Sequence, residues 1–174
     1  MAIDDLVAII PPPSGLLEIG GDDDWREVQN SLKLDLPQDL RDFGMRYGTG
    51  RFCNGLIQVF NPFSPEYQRI IEWECQTQRM VEEDFGKQPY AVYPERPGLF
   101  PWGRDENGHK MFWLIEGESA KWPILLESRD VEYEQWDLSM TTFLGKALNN
   151  EVKCLLWQRP FSRKKLTFEP GPVS

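Results

Sequence analysis

Residues 109–115, read His-Lys-Met-Phe-Trp-Leu-Ile, constrain the fold more than any other stretch of the chain. Side chains alternate between the two faces of a strand. Met111, Trp113 and Ile115 therefore fall on one face, and Phe112 and Leu114 on the other. A strand apolar on both faces belongs in the middle of a sheet with layers on both sides. Its neighbours supply that sheet. Residues 99–104 read as a strand, joined to 109–115 through Asp105-Glu106-Asn107-Gly108, a hairpin signal. Residues 122–127 follow as the next strand, with Pro123 disfavouring an interior ladder position. Upstream, residues 51–53 and 56–60 flank Asn54-Gly55, a pair suited to a tight two-residue turn.

Helices surround these strands in sequence. One is expected to begin at Asp22–Asp24, with Asp24 and Glu27 as an acidic capping box and Trp25, Val28 and Leu32 on one face. Leu36-Pro37 stops it. A second starts at Pro37, buries Leu40, Phe43 and Tyr47, and closes at Gly48 and Gly50. A third spans residues 65–85, with Tyr67, Ile70, Ile71, Thr77, Met80 and Val81 inward and Glu72, Glu74, Arg79, Glu82 and Glu83 mostly toward water. A last covers residues 139–149, capped by Ser139. Strands in a hairpin-linked run with helices before and after imply an α+β fold: a single, largely antiparallel or mixed sheet with helices packed around it. With 174 residues the chain suits one domain. We expect an extended Pro/Gly-rich arm over residues 1–21, the α+β domain over 22–158 and a flexible basic tail over 159–174.

Charge narrows the function. The chain carries 19 Lys+Arg against 28 Asp+Glu, a net of −9. Residues 159–174 hold Arg159, Arg163, Lys164 and Lys165 against Glu169; removing them leaves 15 basic and 27 acidic residues, a net of −12. Such a surface argues against nucleic-acid binding, which needs clustered cations. The first fifteen residues carry Asp4 and Asp5 where a secretion signal would be basic, and no apolar run is long enough to span a membrane, so a cytoplasmic location is expected.

No chemical constellation stands out. Cys53, Cys75, Cys154 and His109 are the only Cys and His side chains and lack metal-ligand spacing. The three cysteines read as reduced, buried residues, and no metal or cofactor is expected. His109 reads as a turn-flanking residue. Gly48-Thr49-Gly50 follows a helix and lacks the third glycine of a dinucleotide fingerprint. Glu116/Glu118 and Glu132/Glu134 lie two apart, a spacing open to a hydrolase acid pair but expected of any solvated edge. Trp25, Trp73 and Trp113 are expected in the core.

Several motifs in order resemble a known family. Leu36-Pro37-Gln38-Asp39-Leu40-Arg41-Asp42-Phe43 followed by Tyr47-Gly48-Thr49-Gly50 resembles the LPxDLRxF…YGxG segment of the Smi/Knr-type SUKH superfamily. Residues 99–108 are similar to its strand and Asn-Gly corner, Met111-Phe112-Trp113-Leu114 with Trp122-Pro123-Ile124 to its next hairpin, and residues 139–148 to its closing helix. The resemblance runs from about Trp25 to Leu148. It implies a mixed-sheet α+β domain without catalytic residues. Most bacterial members are immunity proteins that bind and neutralise contact-delivered toxin domains, often nucleases; some eukaryotic relatives regulate cell-wall synthesis and signalling. An acidic surface would suit a nuclease's cationic cleft. From charge density alone, the contact carboxylates expected are Glu116, Glu118, Glu127, Asp130, Glu132 and Glu134, with Trp102 or Trp136 as an aromatic anchor.

Overall fold

The computed structural model describes residues 2–172. Its elements run α1 (Ala2–Ile9), α2 (Asp22–Leu32), α3 (Gln38–Tyr47), β1 (Gly50–Phe52), β2 (Ile57–Val59), α4 (Tyr67–Phe85), β3 (Gly98–Asp105), β4 (Lys110–Ile115), β5 (Ile124–Glu127), β6 (Tyr133–Trp136), α5 (Met140–Leu148) and β7 (Phe168–Pro170). The strands form one sheet in the order β6-β5-β4-β3-β2-β1-β7, every named pair antiparallel. An isolated parallel bridge joins Val92 to Leu99. The expected α+β architecture holds, and β4 lies inside the sheet between β5 and the central β3.

The register separates the faces. Phe100, Met111, Trp113, Ile124 and Leu126 share one face with Ile57 and Val59 and enter the main core. A bulge between Pro101 and Gly103 makes Trp102 an extra residue in its strand, and its ring packs into the same core against Trp113 and Phe143. Helices α1, α3 and α5 cover this face. Thr141 ties α5 to α3, donating from its backbone N–H and its hydroxyl to the Asp39 carboxylate (2.8 and 2.5 Å). Ser139 caps α5, accepting from the Thr142 N–H. Helix α4 lies on the opposite face, where Leu99, Phe112 and Leu125 form a smaller cluster.

Both chain ends depart from expectation. Ile3, Leu6 and Ile10 are buried, so the first half of the expected arm is a helix docked on α5 and α3. Only the stretch after Ile10 is extended. It is fastened where the Thr49 N–H donates to Leu17 O (3.0 Å), and the Thr49 hydroxyl donates to Glu18. Gly48 closes α3 at φ 67°, and any Cβ there would lie 2.3 Å from Leu17 O. That contact, as well as the left-handed backbone, demands glycine. The expected flexible tail instead returns as β7, pairing Gly50 with Pro170 and Phe52 with Phe168. Phe168 joins a ring cluster with Phe43, Tyr47 and Phe52. Pattern reading missed this strand because one apolar residue in a basic segment carries no period.

Smaller differences have local causes. Gly21, not Asp24, caps α2; Asp24 is the third helical residue and accepts from the Gly21 N–H (2.8 Å). The helix ends at Leu32, with Lys33 in the left-handed region. The β1–β2 turn is wider than two residues, since Phe52 pairs with Ile57 and Cys53, Asn54 and Gly55 all take positive φ. Strand β6 was not anticipated. Among the described residues no helix is long and apolar enough to cross a membrane.

Candidate partner-binding surface

A row of polar side chains crosses the α4 face of the sheet. Gln58 pairs with Arg104, Arg104 with Lys110, Lys110 with Glu127 and Glu127 with Tyr133, one residue from each of five adjacent strands. Helix α4 closes over them with two polar residues a turn apart. Arg104 donates to the buried Glu74 carboxylate (2.7 Å) and Lys110 to Gln78 (3.0 Å), while Gln78 donates to Glu127. Arg104 also stands 5.7 Å over the Phe60 ring. Buried polar groups are costly unless hydrogen-bonded, so each partner here requires the others. The row fixes α4 on the sheet.

This network changes the expected contact set. Glu127 is 3% exposed and belongs to the row, so it is not a surface carboxylate. Trp102 is wholly buried and cannot serve as an external anchor. Glu134 accepts from the Trp136 indole N–H (2.6 Å) and the Leu155 N–H (3.0 Å), and half-buried Trp136 packs on Phe143, so both are held structurally. Glu116 and Glu118 are exposed in the connection leading to β5; Asp130 and Glu132 are exposed in the turn leaving it. Those pairs sit at opposite ends of the strand and do not make one patch. Conversely, Trp73, expected in the core, is 61% exposed on α4, and Met80 is 51% exposed two turns on. Glu74 and Gln78 took the inward positions the pattern gave to apolar residues.

The described surface has a groove between α2 and α4. A cavity of about 240 Å³ bounded by Val28, Phe63 and Tyr67 shares Ser31, Leu32 and Gln68 with a second of about 440 Å³ reaching Ile71, Cys75 and Tyr93. Asp24, Glu27 and Glu72 border it. Glu27 and Glu72 are exposed and have no ion-pair or hydrogen-bond partner among the described residues. Arg79, the one base on its lining, donates to the Tyr93 carbonyl. Tyr67 is 3% exposed, and its hydroxyl lacks a hydrogen-bond partner among the described residues. A cavity of about 550 Å³ near the C terminus has the opposite character, bordered by Arg159 and Lys165 beside Trp157 and Phe161.

The residues weighed for metal or nucleophilic chemistry lie apart. Burial pushes the Cys53 thiol up to about 11 and Cys75 up to about 12, and raises Cys154, so all three are thiols at neutral pH. His109 accepts from the Arg129 N–H through Nδ1 (3.0 Å) and closes the β3–β4 turn, where its own N–H donates to Asp105. Among the described residues no group of three or more His, Cys, Asp or Glu is placed to hold a metal ion.

Comparison with known proteins gives a family match. Residues 22–144 match the SUKH_6 family, described as SMI1-KNR4 cell-wall, and so span α2 through the first half of α5. No curated protein matches the sequence. Among solved structures, a protein from Pseudomonas syringae pv. tomato is 20% identical, with a TM-score of 0.47, covering 82% of this chain and 92% of that one.

Proposed function

The chain belongs to the SUKH_6 family of SMI1-KNR4 cell-wall domains, and from that premise we propose that it is an immunity-type protein. It binds a cognate contact-delivered toxin domain in the cytoplasm, in the first instance a nuclease, and occludes its active cleft with an acidic surface, without chemistry of its own. The observation that carries this reading is the sign and placement of charge. The chain carries a net of −9 on a sheet braced by helices on both faces. Asp22, Asp23, Asp24 and Glu27 on α2, and Glu72, Glu82, Glu83 and Asp84 on α4, are all exposed. A nuclease must present cations to phosphate. A pre-shaped anionic face competes for that field and speeds encounter.

Co-expression with the protein encoded beside its gene tests the proposal. Cells carrying both survive, and the two copurify. Equal killing with and without this chain, and no complex, rejects that partner. The family's cell-wall description supports the regulatory adaptor as the second reading, and capture of a resident cell-wall enzyme in place of a toxin would favour it.

A further inference from the structure

We propose that the α2–α4 groove is the surface that receives the partner, and that its occupant is a basic segment of that protein: a Lys or Arg flanked by an apolar side chain. This rests on the immunity-type reading and assigns its surface. The two cavities share three residues and follow α4 from Tyr67 to Arg79. Twelve helical steps span about 18 Å, the reach of five or six extended residues.

The lining fits such a segment. Val28, Leu32 and Ile71 offer apolar wall, while Glu27 and Glu72 border it as unpaired carboxylates. Arg79 keeps its positive charge while donating to Tyr93 O, but it stands alone against Asp24, Glu27 and Glu72, so the lining stays net negative. The orphaned Tyr67 hydroxyl is the second, independent observation. A buried hydroxyl without a partner is destabilising. Tyr67 lines the cavity that a peptide would fill, and a peptide carries the donors and acceptors that this hydroxyl, closed to solvent, lacks among the described residues. Other surfaces fit less well. The cavity beside Glu118 also carries Lys33 and Arg96, and the C-terminal cavity has the wrong sign. On the neighbouring side of α4, exposed Trp73 adds an aromatic surface for the rest of the partner.

The test titrates the full ¹⁵N-labelled chain with a blocked hexapeptide of alternating Lys and Leu. Saturable shifts are expected at Ser31, Leu32, Gln68 and Glu72. The Glu27→Lys/Glu72→Lys variant should weaken binding about tenfold or more, while Glu116→Lys/Glu118→Lys and Asp130→Lys/Glu132→Lys leave it within about twofold. Tyr67→Phe should weaken binding several-fold without lowering the unfolding midpoint. Equal weakening by all three charge reversals, shifts centred on Asp130 or Glu118, or no saturation would overturn the assignment. The co-expression assay separates the two claims. If the Glu27/Glu72 variant still protects cells and complex formation instead needs Glu116 or Asp130, the groove is wrong and the immunity reading stands. If the unaltered chain protects against no partner, that reading falls.

Discussion

Replacing Glu127 with alanine should destabilise the protein by about 3 kcal/mol, although the residue looks like an ordinary strand-end carboxylate in the sequence. Its side chain is 4% exposed, accepts from Gln78 and faces the Lys110 ammonium at 3.9 Å. Removing one partner of a buried pair costs about 3–5 kcal/mol, because the other charge is left uncompensated. The lower end applies here. The Lys110–Glu127 distance is long, and Lys110 keeps its bond to Gln78 Oε1 (3.0 Å). The Gln78 amide N–H, however, loses its acceptor inside the core. For a chain of this size, about 3 kcal/mol lowers the midpoint by about 6–12 °C. Thermal unfolding followed by circular dichroism, with urea titration to check that the slope is unchanged, measures it. Glu127→Gln retains an acceptor for Gln78 and should lose roughly half as much. Glu132→Ala, a few residues along on the exposed turn, should stay within about 0.5 kcal/mol. If Glu127→Ala matches Glu132→Ala, the row across the sheet does not hold α4 in place, and the reasoning fails.

Three further outcomes follow from the same packing. Trp102→Ala should cost about 3–5 kcal/mol because the ring is wholly enclosed, whereas Trp73→Ala should change stability by no more than about 0.5 kcal/mol; denaturant midpoints of the two variants compare them. Phe168→Ala should lower stability by about 3 kcal/mol and speed amide exchange along β1, since the ring seals the Phe43–Tyr47–Phe52 cluster; exchange unchanged from the unaltered protein would mean β7 is not a fixed part of the sheet. Burial raises the Asp39 carboxyl above its ordinary 3.8 even though Thr141 hydrogen bonds pull it down, so the folded state holds this proton more tightly than the unfolded chain. Its contribution to stability is therefore largest below the ordinary value and declines as pH rises toward the folded value; a carboxyl ¹³C titration with a midpoint at or below 3.8 would contradict this.

Features with local causes could be read directly from the sequence. The Asn107-Gly108 corner, the Ser139 cap and the doubly apolar β4 each depend on neighbours within a few residues, and all lie where the pattern places them. Features made by distant partners could not. Glu74 and Gln78 look like the wet side of α4; they turn inward because Arg104, Lys110 and Glu127 arrive from three strands to meet them. The same network removed Glu127 from the contact set, and the bulge at Trp102 buried the proposed anchor. Helix α1 hid behind Asp4 and Asp5, which face water while Ile3, Leu6 and Ile10 face the core. The groove carries no motif, since its walls come from α2 and α4, roughly forty residues apart; unpaired Glu27 and exposed Trp73 are visible only once the elements that cover other residues are known.

Electrostatic occlusion has a direct kinetic test: the association rate constant between this chain and the toxin domain that copurifies with it, measured by stopped flow as salt is raised from about 20 to 500 mM. Steered encounter between an acidic face and a cationic cleft should slow by about tenfold or more, with the dissociation rate far less affected. An association rate independent of salt would contradict it.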